Sequence, residues 1–138
     1  MEATSDVKSH PLHTDWSRVP VERLEAGVER QMIVGERVMV CRLRFAPRVV
    51  TPPHDHPHEQ LTFVERGRVR FTVGAEERIA AAGDVLHFPP GTWHGATMLD
   101  EEVVLIDIFS PIREDFLGAS RLYGNGNGDN GDGRAPRG

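Results

Sequence analysis

Glycine and proline interrupt this chain at intervals that suit strands and leave little room for long helices: Gly27, Gly35, Pro47, Pro52-Pro53, Gly67, Gly74, Gly83 and Pro89-Pro90-Gly91. Between these breaks the apolar residues come in short, often alternating segments. Met39, Cys41, Leu43 and Phe45 alternate with Arg42 and Arg44, and residues two apart share one face of a strand. Several short strands at this spacing, with no long stretch of helical period, predict an all-β sandwich or barrel. Strands are expected over Gln31 to Val34, Val38 to Phe45, Gln60 to Glu65, Val69 to Val73, Glu77 to Ile79, Asp84 to Phe88 and Val103 to Phe109. Helix is expected only at Val21 to Leu24 and Arg113 to Ala119.

With 138 residues the chain has room for one core. Residues 1–13 are polar and read as a flexible arm, 14–119 as the domain. Residues 120–138, rich in Gly, Asn and Asp, read as a disordered tail that can bury nothing. The tail's Asn and Asp spacing resembles a calcium loop but lacks the closing Glu and the flanking helices. A formal charge of −5 with no concentrated basic surface excludes nucleic acid as the expected partner. No apolar run approaches the ~20 residues of a membrane span. The opening Met1 to Asp6 lacks the basic start and apolar stretch of a secretory signal. Cys41 is alone and fits a core position, so the expected compartment is the reducing cytoplasm. Fifteen of the sixteen basic residues are Arg, the bias of a GC-rich genome.

His54-Asp55-His56-Pro57-His58-Glu59-Gln60 is the densest chemistry in the chain. His54 and His56 can aim two imidazoles at one spot. His94, after the Pro89-Pro90-Gly91-Thr92-Trp93 turn, can bring a third from an adjacent antiparallel strand. His58 is a fourth ligand, a hydrogen-bond donor behind the ligands, or part of the polar rim, with the latter two favoured. His87 reads as a surface or satisfied histidine, and His10 and His13 as solvated.

These residues resemble the two motifs of the cupin superfamily. His54-x-His56-x3-Gln60-x6-Gly67 is similar to the first motif and Gly83-x5-Pro89-x-Gly91-x2-His94 to the second, within a match of about residues 30 to 110. The resemblance implies a double-stranded β-helix, or jelly-roll, and one divalent metal ion per subunit held by His54, His56, Gln60 and His94. Zinc is favoured, with iron, nickel, copper and manganese as the other ions of interest. The motif's usual Glu is Gln60 here. Neutral ligands leave the full double charge on the ion, which favours Lewis-acid chemistry such as enolate stabilisation.

Val103 to Phe109 is apolar on both faces except for Asp107, as expected of a strand buried on both sides. Asp107 is either half of a structural ion pair with Arg113 or a general acid or base facing the cavity. Asp-x-Phe-Ser-Pro-x-Arg resembles the ending of small cupins, among them the pectin-degradation enzyme that linearises 4,5-unsaturated galacturonate. That resemblance makes Asp107, Phe109 and Arg113 a catalytic group. If Gln60 points inward, Thr62 and Val64 do too, leaving Leu61 and Phe63 outside for a homodimer partner to cover. Trp93, Met98 and Phe71 are the remaining candidate cavity residues, and with Phe109 they make an apolar substrate pocket.

An apolar pocket around a Lewis acid resembles the cupin-type aromatic polyketide cyclases of antibiotic biosynthesis. The first expectation is therefore a metal-dependent cyclase that enolises and folds a poly-β-ketone, with Asp107 or His58 as base. A sugar-acid isomerase acting on an unsaturated uronate, a cupin dioxygenase and a non-enzymatic ligand-binding cupin are the alternatives.

Overall fold

The computed structural model describes residues 12–117. The expected arm up to residue 11 and the tail from residue 118 lie outside the described residues, as does His10. Ten strands make up most of the described chain: β1 Glu22–Glu25, β2 Val28–Val34, β3 Met39–Phe45, β4 Val50–His54, β5 Glu59–Arg66, β6 Arg68–Val73, β7 Glu76–Ala81, β8 Val85–Phe88, β9 His94–Met98 and β10 Val103–Ser110. A 3-10 turn at Trp16–Arg18 precedes them, and one helical turn, α1 Glu114–Leu117, follows. The strands form a six-stranded sheet, β1-β2-β3-β10-β5-β8, and a four-stranded sheet, β4-β9-β6-β7. Every pairing is antiparallel.

Alternation decides which residues fill the space between the sheets. Along β3, Met39, Cys41, Leu43 and Phe45 are all buried, and Gln60, Thr62 and Val64 do the same along β5. Leu61 and Phe63 face outward, each 37% exposed. Cys41 is fully buried, and burial, with the nearby Asp107 charge, pushes its thiol up to about 12. It is an inert core residue.

Two local expectations change. Val21 to Leu24 is not helical. Glu22–Glu25 is a strand opposite β2, with Glu22 across from Arg30 and accepting a 3.0 Å bond from the Arg30 Nε–H. Four residues are too few to hold a helix without support, whereas the sheet edge offers a ladder at once. β4 was not expected because Pro52 and Pro53 lie in it. It is an edge strand, where proline's missing N–H leaves no gap in the ladder.

Candidate metal centre

The histidine cluster is built by the pairing of β4 with β9. A register irregularity between Thr51 and His54 re-aims the end of β4, and His54 then lies directly opposite His94. Gly95 allows the approach: a Cβ there would sit 2.9 Å from both Pro53 Cα and Pro53 N. His56 follows in the β4–β5 loop, whose backbone is tied down by a 2.8 Å bond from Gly91 N–H to the His56 carbonyl. One nitrogen from each of His54, His56 and His94 lies within 4.8 Å of the others. The rings of His54 and His94 are 4.7 Å apart, and those of His56 and His94 are 5.2 Å apart. Phe88 stacks on His94 at 4.5 Å, and the edge of Phe109 meets His56 at 5.7 Å.

Hydrogen bonds set the ring tautomers. His54 Nδ1–H donates to the Pro52 carbonyl at 3.0 Å and His94 Nδ1–H to the Thr92 carbonyl at 2.8 Å. Each ring therefore keeps its lone pair on Nε2, the form in which a metal is bound. His94 Nε2 is buried without a hydrogen-bond partner among the described residues, an arrangement a folded protein rarely tolerates without a ligand. Burial, reinforced by the Arg113 charge, lowers His56 to about 4, and burial lowers His94 as well. Both rings are neutral at physiological pH, as metal ligation requires. The donor set fits a divalent ion.

Gln60 lies on β5 beside this cluster, its Oε1 3.0 Å from His56 Nε2. Gln60 Nε2–H donates to Thr62 Oγ1 at 2.8 Å, and the Thr62 hydroxyl donates to Asp107 Oδ1 at 2.7 Å. Asp107 is 1% exposed, and that burial raises its carboxyl to about 6 against the lowering effect of the Thr62 bond and the Arg113 charge. The Asp107–Arg113 ion pair, one of the two readings of Asp107, does not form. Arg113 instead donates from Nε and Nη2 to Asp115 at 3.1 and 2.8 Å, because Asp115 lies two residues away on the same turn. Its guanidinium is 4.2 Å from the centre of the Phe116 ring and 5.0 Å from that of Phe109. Arg113 is 3% exposed, and its Nη1 has no hydrogen-bond partner among the described residues.

His58 stands apart from the three clustered nitrogens, its ring 5.4 Å from that of His56. Desolvation, with the Arg113 charge, lowers His58 also. Phe71 and Met98 are buried and line a void shared with Gln60, Thr62, His94 and Asp107. Trp93 does not: it is 51% exposed, because its neighbour His94 takes the inward position and adjacent strand residues face opposite ways. The void measures about 10 Å³, room for about one water. His87 lies outside, paired with Glu59 at 2.7 Å, and His13 is exposed. The role of Thr62 was missed, although its inward parity was legible; Phe88 had no sequence signal beyond its parity.

The cupin-domain family model matches residues 41–109, a span that holds all the clustered histidines, Gln60 and Asp107. The pectin degradation protein KdgF of Dickeya dadantii is 38% identical over 101 residues, covering 71% of this chain and 91% of that protein. An RmlC-like cupin from Shewanella frigidimarina superposes with a TM-score of 0.73 at 30% identity, over 78% of this chain and 96% of that one. KdgF from Halomonas sp. superposes with a TM-score of 0.67, also at 30% identity, over 70% and 90%. The motif residues, the two antiparallel sheets and these relatives agree: the chain belongs to the cupin family.

Proposed function

We propose that the protein is a metal-dependent isomerase that opens the ring of an unsaturated uronic acid. The observation that carries this reading is the chain of contacts from the three-histidine cluster through Gln60 and Thr62 to a buried, protonatable Asp107. Its 38% identity to a pectin degradation protein adds the substrate class. His54, His56, His94 and Gln60 Oε1 would hold the ion, with zinc favoured for a site of imidazoles and no redox demand. When bound, it supplies Lewis acidity toward substrate oxygens.

Linearising such a sugar breaks the bond between the anomeric carbon and the ring oxygen. The anomeric hydroxyl gives up a proton to become an aldehyde, and the ring oxygen leaves as an enol. A proton then returns to the neighbouring alkene carbon as the enol becomes a ketone. No atoms enter or leave. Asp107, with a pKa of about 6, can both take and return a proton near neutral pH. Arg113, with Nη1 unengaged among the described residues, would bind the substrate carboxylate by a charge-assisted bond. Phe109 holds that guanidinium and the His56 ring in place. His58 would pass protons between the site and the groove of about 490 Å³ that it helps line.

The relatives favour this reading over the cyclase expected from the sequence, since two of them are KdgF proteins and one is named for pectin degradation. The cytoplasm is the compartment this reading assumes; no described helix is long and apolar enough to cross a membrane. A second copy would cover Leu61, Phe63 and Val85, which share the outer face of the large sheet at 37%, 37% and 55% exposure. Phe63→Asp should then turn a dimer into a monomer by sedimentation, and an unchanged mass would end that proposal.

The test of function is proton NMR of 4,5-unsaturated galacturonate incubated with zinc-loaded protein. Loss of the ring alkene, stopped by a chelator, is expected. Binding without turnover would make the protein a ligand-binding cupin, and oxygen uptake would make it an oxygenase.

A further inference from the structure

We propose that Thr62 is a positioning residue that decides which end of the Gln60 amide faces the histidine cluster, and thereby makes Gln60 a ligand. The inference rests on the metal-site reading above. An amide carries an acceptor oxygen and a donor NH₂ of nearly equal size, and only the oxygen can hold a cation. Position 60 is 3% exposed, so water does not choose between the two orientations. Thr62 does.

Its hydroxyl has one hydrogen, and that hydrogen is committed to Asp107 Oδ1 at 2.7 Å. What remains toward Gln60 is a lone pair, which accepts the Gln60 Nε2–H at 2.8 Å. The amide nitrogen is thereby drawn toward Thr62, and Oε1 is left facing His56 Nε2 at 3.0 Å. The direction of the whole chain is set at its far end by Asp107, whose ionised carboxylate accepts and does not donate. Backbone pairing fixes the spacing: Thr62 and Asp107 are direct partners across the β5–β10 ladder. Thr62 itself has no exposed surface. A valine there would fill the same volume with no lone pair, and the amide would keep only its bond to Asp107 to hold the preferred orientation.

The test is zinc affinity, measured on the stripped full-length protein by competition with a chromophoric chelator, without any substrate. Thr62→Val should weaken binding by roughly 10- to 100-fold, the usual cost of removing a group that orients a ligand. Thr62→Ser should restore most of the affinity. In a Gln60→Glu background Thr62→Val should lose its effect, because a carboxylate presents an oxygen in either orientation. Thr62→Ala removes the same hydroxyl and replaces Thr62→Val if that variant does not fold.

Equal affinity of Thr62→Val and wild type overturns the proposal. So does a penalty of the same size in the Gln60→Glu background, which would mark Thr62 as merely structural. A wild type that binds no zinc overturns the metal site and this proposal together, whereas zinc binding without uronate turnover removes only the assigned reaction.

Discussion

Gln60, Thr62 and Asp107 sit on strands of the six-stranded sheet that are laddered on both sides, β5 between β10 and β8, and β10 between β3 and β5. His54 comes from the edge of the four-stranded sheet, at the end of a strand that contains two prolines and a register irregularity. The first half of the site is held by backbone that has nowhere to move. The second depends on how closely β4 can lie against β9. A single glycine permits that closeness. On the proposed reading the large sheet sets proton position and amide direction, and the small sheet sets whether the imidazoles converge.

Substituting one residue in each half should separate the two roles. Asp107→Asn acts in the large-sheet half and should give the larger effect, a fall in turnover of about 10²- to 10⁴-fold if this carboxyl moves the proton. Its effect on stability should have the opposite sign. Burial raises the folded pKa of Asp107 from 3.8 to about 6, so the folded state holds a proton more tightly than the unfolded state. That contribution is favourable below about 4 and is lost as pH rises through about 6. The amide introduced by Asp107→Asn stays neutral throughout. In chelator-treated protein the variant should therefore melt higher at pH 8, by an amount corresponding to about 2–3 kcal/mol, and the advantage should shrink toward pH 4. A gain that is independent of pH would contradict the role assigned to burial.

Gly95→Ala probes the other half. Its Cβ would meet Pro53 backbone at 2.9 Å, and forcing β4 outward should cost about 1–3 kcal/mol, as overpacking does. Because His54 moves with β4, ion affinity should fall together with the melting temperature. Unchanged ion affinity in a destabilised variant would separate the cluster from the β4–β9 contact.

The difference between the halves also explains what the sequence revealed. Alternation along Met39 to Phe45, Gln60 to Glu65 and Val103 to Phe109 was legible, because buried strands show their period directly. The inward direction of Gln60, Thr62 and Val64 followed from it. The motif spacing singled out His54, His56 and His94, which cluster in the structure. β4 was hidden by Pro52-Pro53, whose tolerance depends on being at an edge, a fact of assembly. Trp93, named as a cavity residue with Met98 and Phe71, is exposed, because adjacent strand residues point opposite ways and His94 takes the inward position. Of the two readings open for Asp107, the ion pair with Arg113 drew on the conspicuous carboxylate, but Asp115 sits on the turn that positions the guanidinium. The size of the void was beyond the sequence altogether, since it depends on how closely the sheets approach and on the bulk of Phe45, Phe71 and Met98 between them.

The most direct test of the site is the metal content of protein purified without added metal, measured by elemental analysis for the wild type and for His56→Ala. The account predicts about one divalent ion per chain in the wild type, on the reasoning that neutral, buried, unsatisfied imidazole nitrogens exist here to hold one. It predicts that His56→Ala loses the ion while remaining folded. A wild type that carries no ion and takes none up from excess zinc would contradict the central claim.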